Sequence, residues 1–255
     1  MICGAPGAGC VHGENFPLRW FDRPNTLRLF QLWLNLPQKS KFAPPTFVMT
    51  WAENMPFLAG TGGAECEVAA GNIGGAAAGA PPPHSWAADD ANEVGVFYIT
   101  LPPGGAFQLP PAKHGAAINR AAYLVEGPTD PDSRVLVGGA PVLGGRGTLV
   151  LDASQPCLFE NGNKAGTHSA HVLVLQGRPI GEPVVQHGPF VMNDEAGITQ
   201  AFDDFQRTQF GGWPWSAEAV VFPREQGRFA DMIVDGRKVR QTPPPESDLA
   251  PPVEL

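Results

Sequence analysis

The chain has no basic cluster: across 255 residues, 17 Lys and Arg face 25 Asp and Glu, for a formal charge of −8. Nucleic-acid affinity rests on cations that neutralise phosphates, so direct DNA or RNA binding is not expected. No apolar run approaches the roughly 20 residues that span a bilayer, and the start lacks the basic, then apolar, pattern of a secretory signal. A soluble, intracellular protein with no membrane partner is expected. No basic localisation cluster decides between cytoplasm and nucleus. The four cysteines, Cys3, Cys10, Cys66 and Cys157, form no Cys-x-x-Cys pair. That argues against a zinc site or redox motif and for free, buried or half-buried thiols. A Gly-x-Ser-x-Gly elbow and a P-loop lysine are also missing, and Leu143-Gly144-Gly145-Arg146-Gly147 reads as a hairpin turn instead.

What is present is turn chemistry. The sequence holds 31 glycines and 28 prolines beside 43% apolar residues that fall in short runs, a pattern of many turns between short elements. Leu27–Asn35 is too apolar for a half-exposed strand and is closed by Pro37, which predicts a buried strand with Gln31 and Trp33 on one face. A second short strand is predicted over Phe47–Trp51. Residues 60–92, with Gly71-Asn72-Ile73-Gly74-Gly75 and Pro81-Pro82-Pro83, read as a Gly/Ala/Pro-rich connector. Strand-like runs follow at Val94–Leu101, Ala121–Glu126, Arg134–Val137, Thr148–Leu151 and His171–Gln176, the spacing of a sandwich or barrel. One helix is predicted after Asn193 or Asp194 as its cap, with Ile198, Ala201, Phe202 and Phe205 on its packed face. Residues 241–255 read as a loose, proline-rich tail.

Among residues able to do chemistry, His12 and Glu14 stand two apart, which on a strand places both side chains on one face with Cα atoms about 7 Å apart. One imidazole and one carboxylate suit non-haem iron, and less distinctively manganese, nickel or zinc. A working site needs at least one further histidine. The other five, His84, His114, His168, His171 and His187, form no His-x-His pair.

Residues 181–193, Gly-Glu-Pro-Val-Val-Gln-His-Gly-Pro-Phe-Val-Met-Asn, resemble the signature near the C-terminus of pirins, and the Ile198-x-x-Ala201-Phe202-x-x-Phe205 helix follows as in that family. Leu29–Leu36, Pro82–Ala88 and Phe210-Gly211-Gly212-Trp213-Pro214-Trp215 are also similar to pirin segments, in order. The resemblance covers about Gly7 to Phe229. It implies a mainly β chain of two cupin-type barrel halves, the first incomplete, with a helix near the C-terminus. The expected divisions are a remnant of the N-terminal cupin at 1–59, the connector at 60–92, the C-terminal cupin at 93–209 and an irregular tail at 210–255.

The resemblance also implies iron, held by a His-x-His pair on one strand and a His-x-Glu pair on a later one. His12 and Glu14 match the later pair. The earlier pair would precede Met1, so the chain is expected to be a fragment, the product of a mis-started gene model, or a short isoform, and to be inactive alone. In the family, quercetin 2,3-dioxygenase-like members open a flavonol ring with oxygen. That implies His12 and Glu14 as ligands, Glu14 also as a catalytic base, and Gln31 and Trp33 as residues lining a flavonol pocket. The alternative implied by the resemblance is a non-enzymic, iron-dependent nuclear cofactor that binds a transcription-factor protein. For residues 186–193 a structural role is expected, with Pro183, Gly188 and Pro189 shaping a turn, and Lys113-His114 is expected to be a remnant without a metal.

Overall fold

The computed structural model describes residues 9–14, 16–17, 20, 22–127, 135–142, 148–163, 168–216, 221–234 and 237–244. Cys3, the predicted turn at 143–147 and most of the predicted tail lie outside them. The chain divides into two compact units. Among the described residues, one draws on Thr50–Pro81 and Trp86–Pro179; the other takes those up to Met49, Pro82–Ser85 and those from Ile180 to Pro244.

Besides a small hairpin of Asn72–Ile73 with Ala76–Ala77, the first of these units has ten antiparallel strands in two sheets: β1 (Phe57–Ala59), β2 (Glu65–Ala70), β3 (Gly95–Leu101), β4 (Ala106–Leu109), β5 (Asn119–Glu126), β6 (Val135–Val137), β7 (Ala140–Val142), β8 (Thr148–Asp152), β9 (Cys157–Asn161) and β10 (Ala170–Gly177). Six form one sheet in the order β8-β5-β10-β3-β2-β1, and four form a second in the order β7-β6-β9-β4. Strand period two explains the burial. Along β3 the side chains of Phe97, Ile99 and Leu101 are fully buried, whereas Val96, Tyr98 and Thr100 between them are only partly so. Phe107 and Phe159 from the second sheet join Phe97, Ile99, Val68 and Val172 from the first in one apolar core. Two sheets with interdigitating inner faces are the expected result of that patterning.

Residues 60–92, predicted as a connector, do more than connect. β2 pairs with β3 through Cys66↔Ile99 and Val68↔Phe97, and β1 pairs with β2. The physical reason is the alternation Glu65, Cys66, Glu67, Val68, which buries the thiol and the valine and exposes both carboxylates. The five strand runs predicted between Val94 and Gln176 all occur, with Arg134 outside the described residues.

In the other unit, β11 (Val185–His187) and β12 (Phe190–Met192) form a hairpin. Its two-residue turn uses Gly188 at φ +57, a backbone angle at which a Cβ would be strained, followed by Pro189. Helix α1 (Glu195–Thr208) follows. Its N-cap is Asp194, whose carboxylate accepts the Gly197 N–H at 2.7 Å. Asn193 does not cap: its Nδ2 donates to Glu182 Oε2 at 3.1 Å and to the Pro183 carbonyl at 3.0 Å, which braces the entry to the hairpin. Ile198 is buried, and Phe202 and Phe205 turn toward Phe190. The predicted helix face is the observed one. A last hairpin pairs Ala230–Val234 with Arg237–Gln241.

Leu27–Asn35 departs from expectation. No strand is assigned there, and Leu27 and Trp33 are each 60% exposed, with Leu29, Leu32 and Leu34 also open. A buried strand needs neighbours on both edges and both faces, and among the described residues no ladder reaches this segment. Over Phe47–Trp51 the predicted strand is reduced to one bridge residue, Val48. Lys41, a few residues on, is buried at 5% exposure, and its Nζ donates to Asn35 Oδ1 at 2.8 Å and to the Val191 carbonyl at 2.9 Å. Burial holds its ammonium below the usual lysine range against the opposing pull of Glu182.

Because Phe159 has no exposed surface and meets the opposite sheet, Phe159→Ala should cost about 3–5 kcal/mol, as cavity-creating Phe substitutions do. Denaturant unfolding would show a lower midpoint at unchanged slope. Loss below about 1 kcal/mol would mean that the site collapses or that the two sheets do not share one core.

Candidate functional site

Gly9–Glu14 carries no strand, yet it brings the predicted pair together: His12 Nδ1 lies 3.7 Å from Glu14 Oε1. The imidazole is exposed and the carboxylate half-buried. Glycines flank the pair, and each touches the segment that follows α1. A Cβ on Gly9 would lie 2.6 Å from the Phe210 ring, and one on Gly13 would lie 3.3 Å from Trp213 Cη2. Gln31 and Trp33 sit in the exposed, unladdered segment of the same unit.

The remaining histidines are engaged elsewhere. His84 lies exposed in a turn. On β10, His171 stacks on Tyr98 with ring centroids 5.6 Å apart and has Nδ1 3.3 Å from Thr100 Oγ1. His187 packs edge-on against Phe202 at 5.4 Å, a structural role like the one expected for its hairpin.

His114 belongs to a carboxylate clasp. Glu93 accepts the backbone N–H of Lys113 at 2.7 Å and of His114 at 2.8 Å, and its Oε2 lies 3.0 Å from His114 Nδ1. An ionised carboxylate only accepts, so Nδ1 carries the proton. Glu93 is held in the left-handed region at φ 43, ψ 40, where residues other than glycine are uncommon. Burial raises its pKa, but the His114 and Lys113 N–H groups and the imidazole together outweigh burial and hold it below the usual carboxylate range.

Among the described residues, no group of three His, Cys, Asp or Glu side chains is placed to hold a metal ion. His12 and Glu14 supply two donors, and a non-haem iron centre takes at least three protein ligands. These residues fit part of a centre and not a whole one, so no chemical step is routed through a metal here. Among the described thiols, burial pushes Cys66 up to about 12 and raises Cys10 and Cys157 as well.

Two facing antiparallel sheets with a helix beyond the last strand define a cupin, and comparison with known proteins agrees. A model of the pirin C-terminal cupin domain matches residues 96–211. A pirin-like protein of Caulobacter vibrioides is 35% identical over 204 residues, covering 80% of this chain and 65% of that protein. Pirin-1 of Arabidopsis thaliana is 30% identical over 211 residues, covering 80% and 63%. A crystal structure of a quercetin 2,3-dioxygenase from Acinetobacter baumannii superposes with a TM-score of 0.57 at 25% identity, over 70% of this chain and 55% of that one. The chain carries a match to the pirin C-terminal cupin domain and is similar to pirins over most of its length. It spans less than two thirds of the length of each of these relatives.

The sequence drew attention to His12 and Glu14 but not to Phe210 and Trp213, which lie against their segment. Gly9 and Gly13, close to a His-x-Glu pair, were the available signal. Glu93 was also passed over, because a carboxylate that binds the main chain of a distant loop leaves no local pattern.

The Glu93 clasp has a pH signature. A carboxylate whose folded pKa is depressed adds stability above its ordinary pKa and loses it as pH falls toward the lowered value. Wild-type stability should therefore fall through that acid window, and Glu93→Gln should start less stable at neutral pH and decline less steeply. Parallel acid limbs for the two proteins in urea melts would contradict the clasp.

Proposed function

We propose that this chain serves a pirin of the quercetin 2,3-dioxygenase type, an iron-dependent oxygenase acting on a flavonol-like small molecule. The residues before Thr50 are its share of the metal-bearing cupin, and Thr50–Pro81 with Trp86–Pro179, β1 and β2 included, make the second cupin. His12 and Glu14 are two of the iron ligands, and the Glu14 carboxylate receives the proton of the flavonol hydroxyl. Gln31 and Trp33 line the substrate side. The observation that carries this reading is the approach of His12 and Glu14 to 3.7 Å in a chain whose relatives are pirins. The likeness to a solved quercetin 2,3-dioxygenase supports the reaction class.

A metal with oxygen and nitrogen donors fits this pair better than it fits a thiolate site. Glu14 is a reasonable proton acceptor on position alone: it is half-buried and next to the imidazole in space. In the second cupin the inner strand positions are taken by Phe97, Phe107 and Phe159, which offer an ion no donor.

Iron binding and oxygen uptake with quercetin, measured on this chain, test the proposal. Ferrous iron should bind, and His12→Ala or Glu14→Gln should weaken binding about tenfold or more, roughly 1.4 kcal/mol or more by the affinity relation. Any oxygen uptake should require the bound iron and be lost in both variants. Iron bound without uptake would favour a nuclear cofactor whose partner is a transcription-factor protein. Equal iron content in wild type and variants would overturn the assignment of the ligands.

A further inference from the structure

Residues 9–14 form no strand themselves, the nearest ladder being Phe16–Pro17 paired with Val221–Phe222, yet they follow a course that brings the His12 and Glu14 side chains within 3.7 Å. Two rings lie against them. Gly9, at φ +88, runs so close beneath the Phe210 ring that a Cβ would sit 2.6 Å from three of its carbons, nearer than any real Cβ contact. Gly13, between the two proposed ligands, would place a Cβ 3.3 Å from Trp213 Cη2. Both glycines are therefore sites where backbone and ring approach closely, which a side chain would prevent.

The Phe210 ring is itself anchored. At the end of α1, Gln209 (φ 49) and Phe210 (φ 48, ψ 39) are consecutive non-glycine residues in the left-handed region. Thr208 Oγ1 accepts the Phe210 N–H at 3.1 Å, which fixes the turn. This reversal directs the Phe210 ring onto Phe205, at 5.3 Å between centroids, and edge-on to Phe190 of β12, at 6.0 Å and 85°. A backbone conformation that costs energy persists where surrounding packing determines it, and such places are concentrated at functional sites.

We propose that Phe210 and Trp213 are positioning residues for the His12-x-Glu14 pair. They form an aromatic clamp that starts at Phe190 of the hairpin, passes through the end of α1 and holds Gly9–Glu14 in its course. The clamp acts by fixing the main chain on either side of His12. That the pair binds a metal rests on the function proposed above, whereas the order of the segment does not.

The test uses the whole chain, free of metal, labelled with nitrogen-15. In wild type the amides of residues 9–14 should show the heteronuclear NOE of ordered backbone, and the Gly13 resonances should carry a ring-current shift from Trp213. Trp213→Ala should abolish that shift and lower the NOE at residues 11–14 with α1 unchanged; Phe210→Ala should do the same around Gly9. Trp213→Phe should restore most of the order. Titration with zinc, as a diamagnetic probe, should then show affinity lowered about tenfold in Trp213→Ala and recovered in Trp213→Phe. Ordered amides in both alanine variants would overturn the clamp, and a mobile segment with unchanged zinc affinity would overturn its positioning role. If wild type itself binds no zinc, the metal assignment fails while the NOE still judges the clamp. Should Phe210→Ala unfold the helix end, the partly exposed Trp213 decides the matter.

Discussion

Side-chain packing inside the two-sheet unit decides where chemistry is possible. Phe97, Phe107 and Phe159 leave no surface exposed and meet across the inner faces of the sheets, with Ile99, Leu109, Val68 and Val172 around them. A cupin interior built this way is a hydrophobic core, and bringing an unpaired charge into it would be costly. It holds two buried thiols, Cys66 and Cys157, and burial raises both, Cys66 up to about 12. The polar groups that do enter have partners: Arg120 donates from Nε and Nη2 to Gln176 Oε1 and from Nη1 to the Pro110 carbonyl, and Asn161 Nδ2 donates to the Leu101 carbonyl. The His-x-Glu pair lies in the other unit, where an exposed imidazole and a half-buried carboxylate approach each other.

That other unit depends on aromatic contacts more than on ladders. Phe190 packs against Phe202 and Phe205 of α1 and reaches Phe210, and through Phe210 the signature hairpin is joined to Gly9. The signature residues at 181–193 thus bear on the candidate site without carrying a catalytic side chain. Glu182 belongs to the same frame: its Oε2 accepts the Gln38 N–H at 2.6 Å, while the nearby Lys41 ammonium donates to the hairpin at Val191. Conformational order at His12 is paid for by packing that begins some 180 residues away in sequence.

The parts of the fold legible in the sequence were those whose pattern is local. The alternation from Gly95 to Leu101, the apolar run from Ala170 to Gln176 and the 3.6-residue spacing of Ile198, Phe202 and Phe205 each specify an element without reference to the rest of the chain. Glu65–Ala70 was missed because its alternation spans only four residues among glycines and alanines, and its burial comes from pairing with β3, which is non-local. Leu27–Asn35 shows the opposite failure: its composition suits a buried strand, but strand state depends on neighbours, and the described residues supply no ladder. At the candidate site, spacing was enough to pair His12 with Glu14. It was blind to Trp213 and Phe210, since contacts across about 200 residues leave no trace except the glycines that permit them.

Locating the ion directly gives the sharpest test of the claim that His12 and Glu14 are the chain's metal-binding residues. Manganese(II), which accepts the same nitrogen and oxygen donors, broadens nuclear resonances with steep distance dependence. Added in substoichiometric steps to the nitrogen-15-labelled chain, it should first broaden residues 9–14 and the Trp213 indole. Broadening centred on His171, His114 or the carboxylates of β2, with residues 9–14 unaffected, would contradict the account.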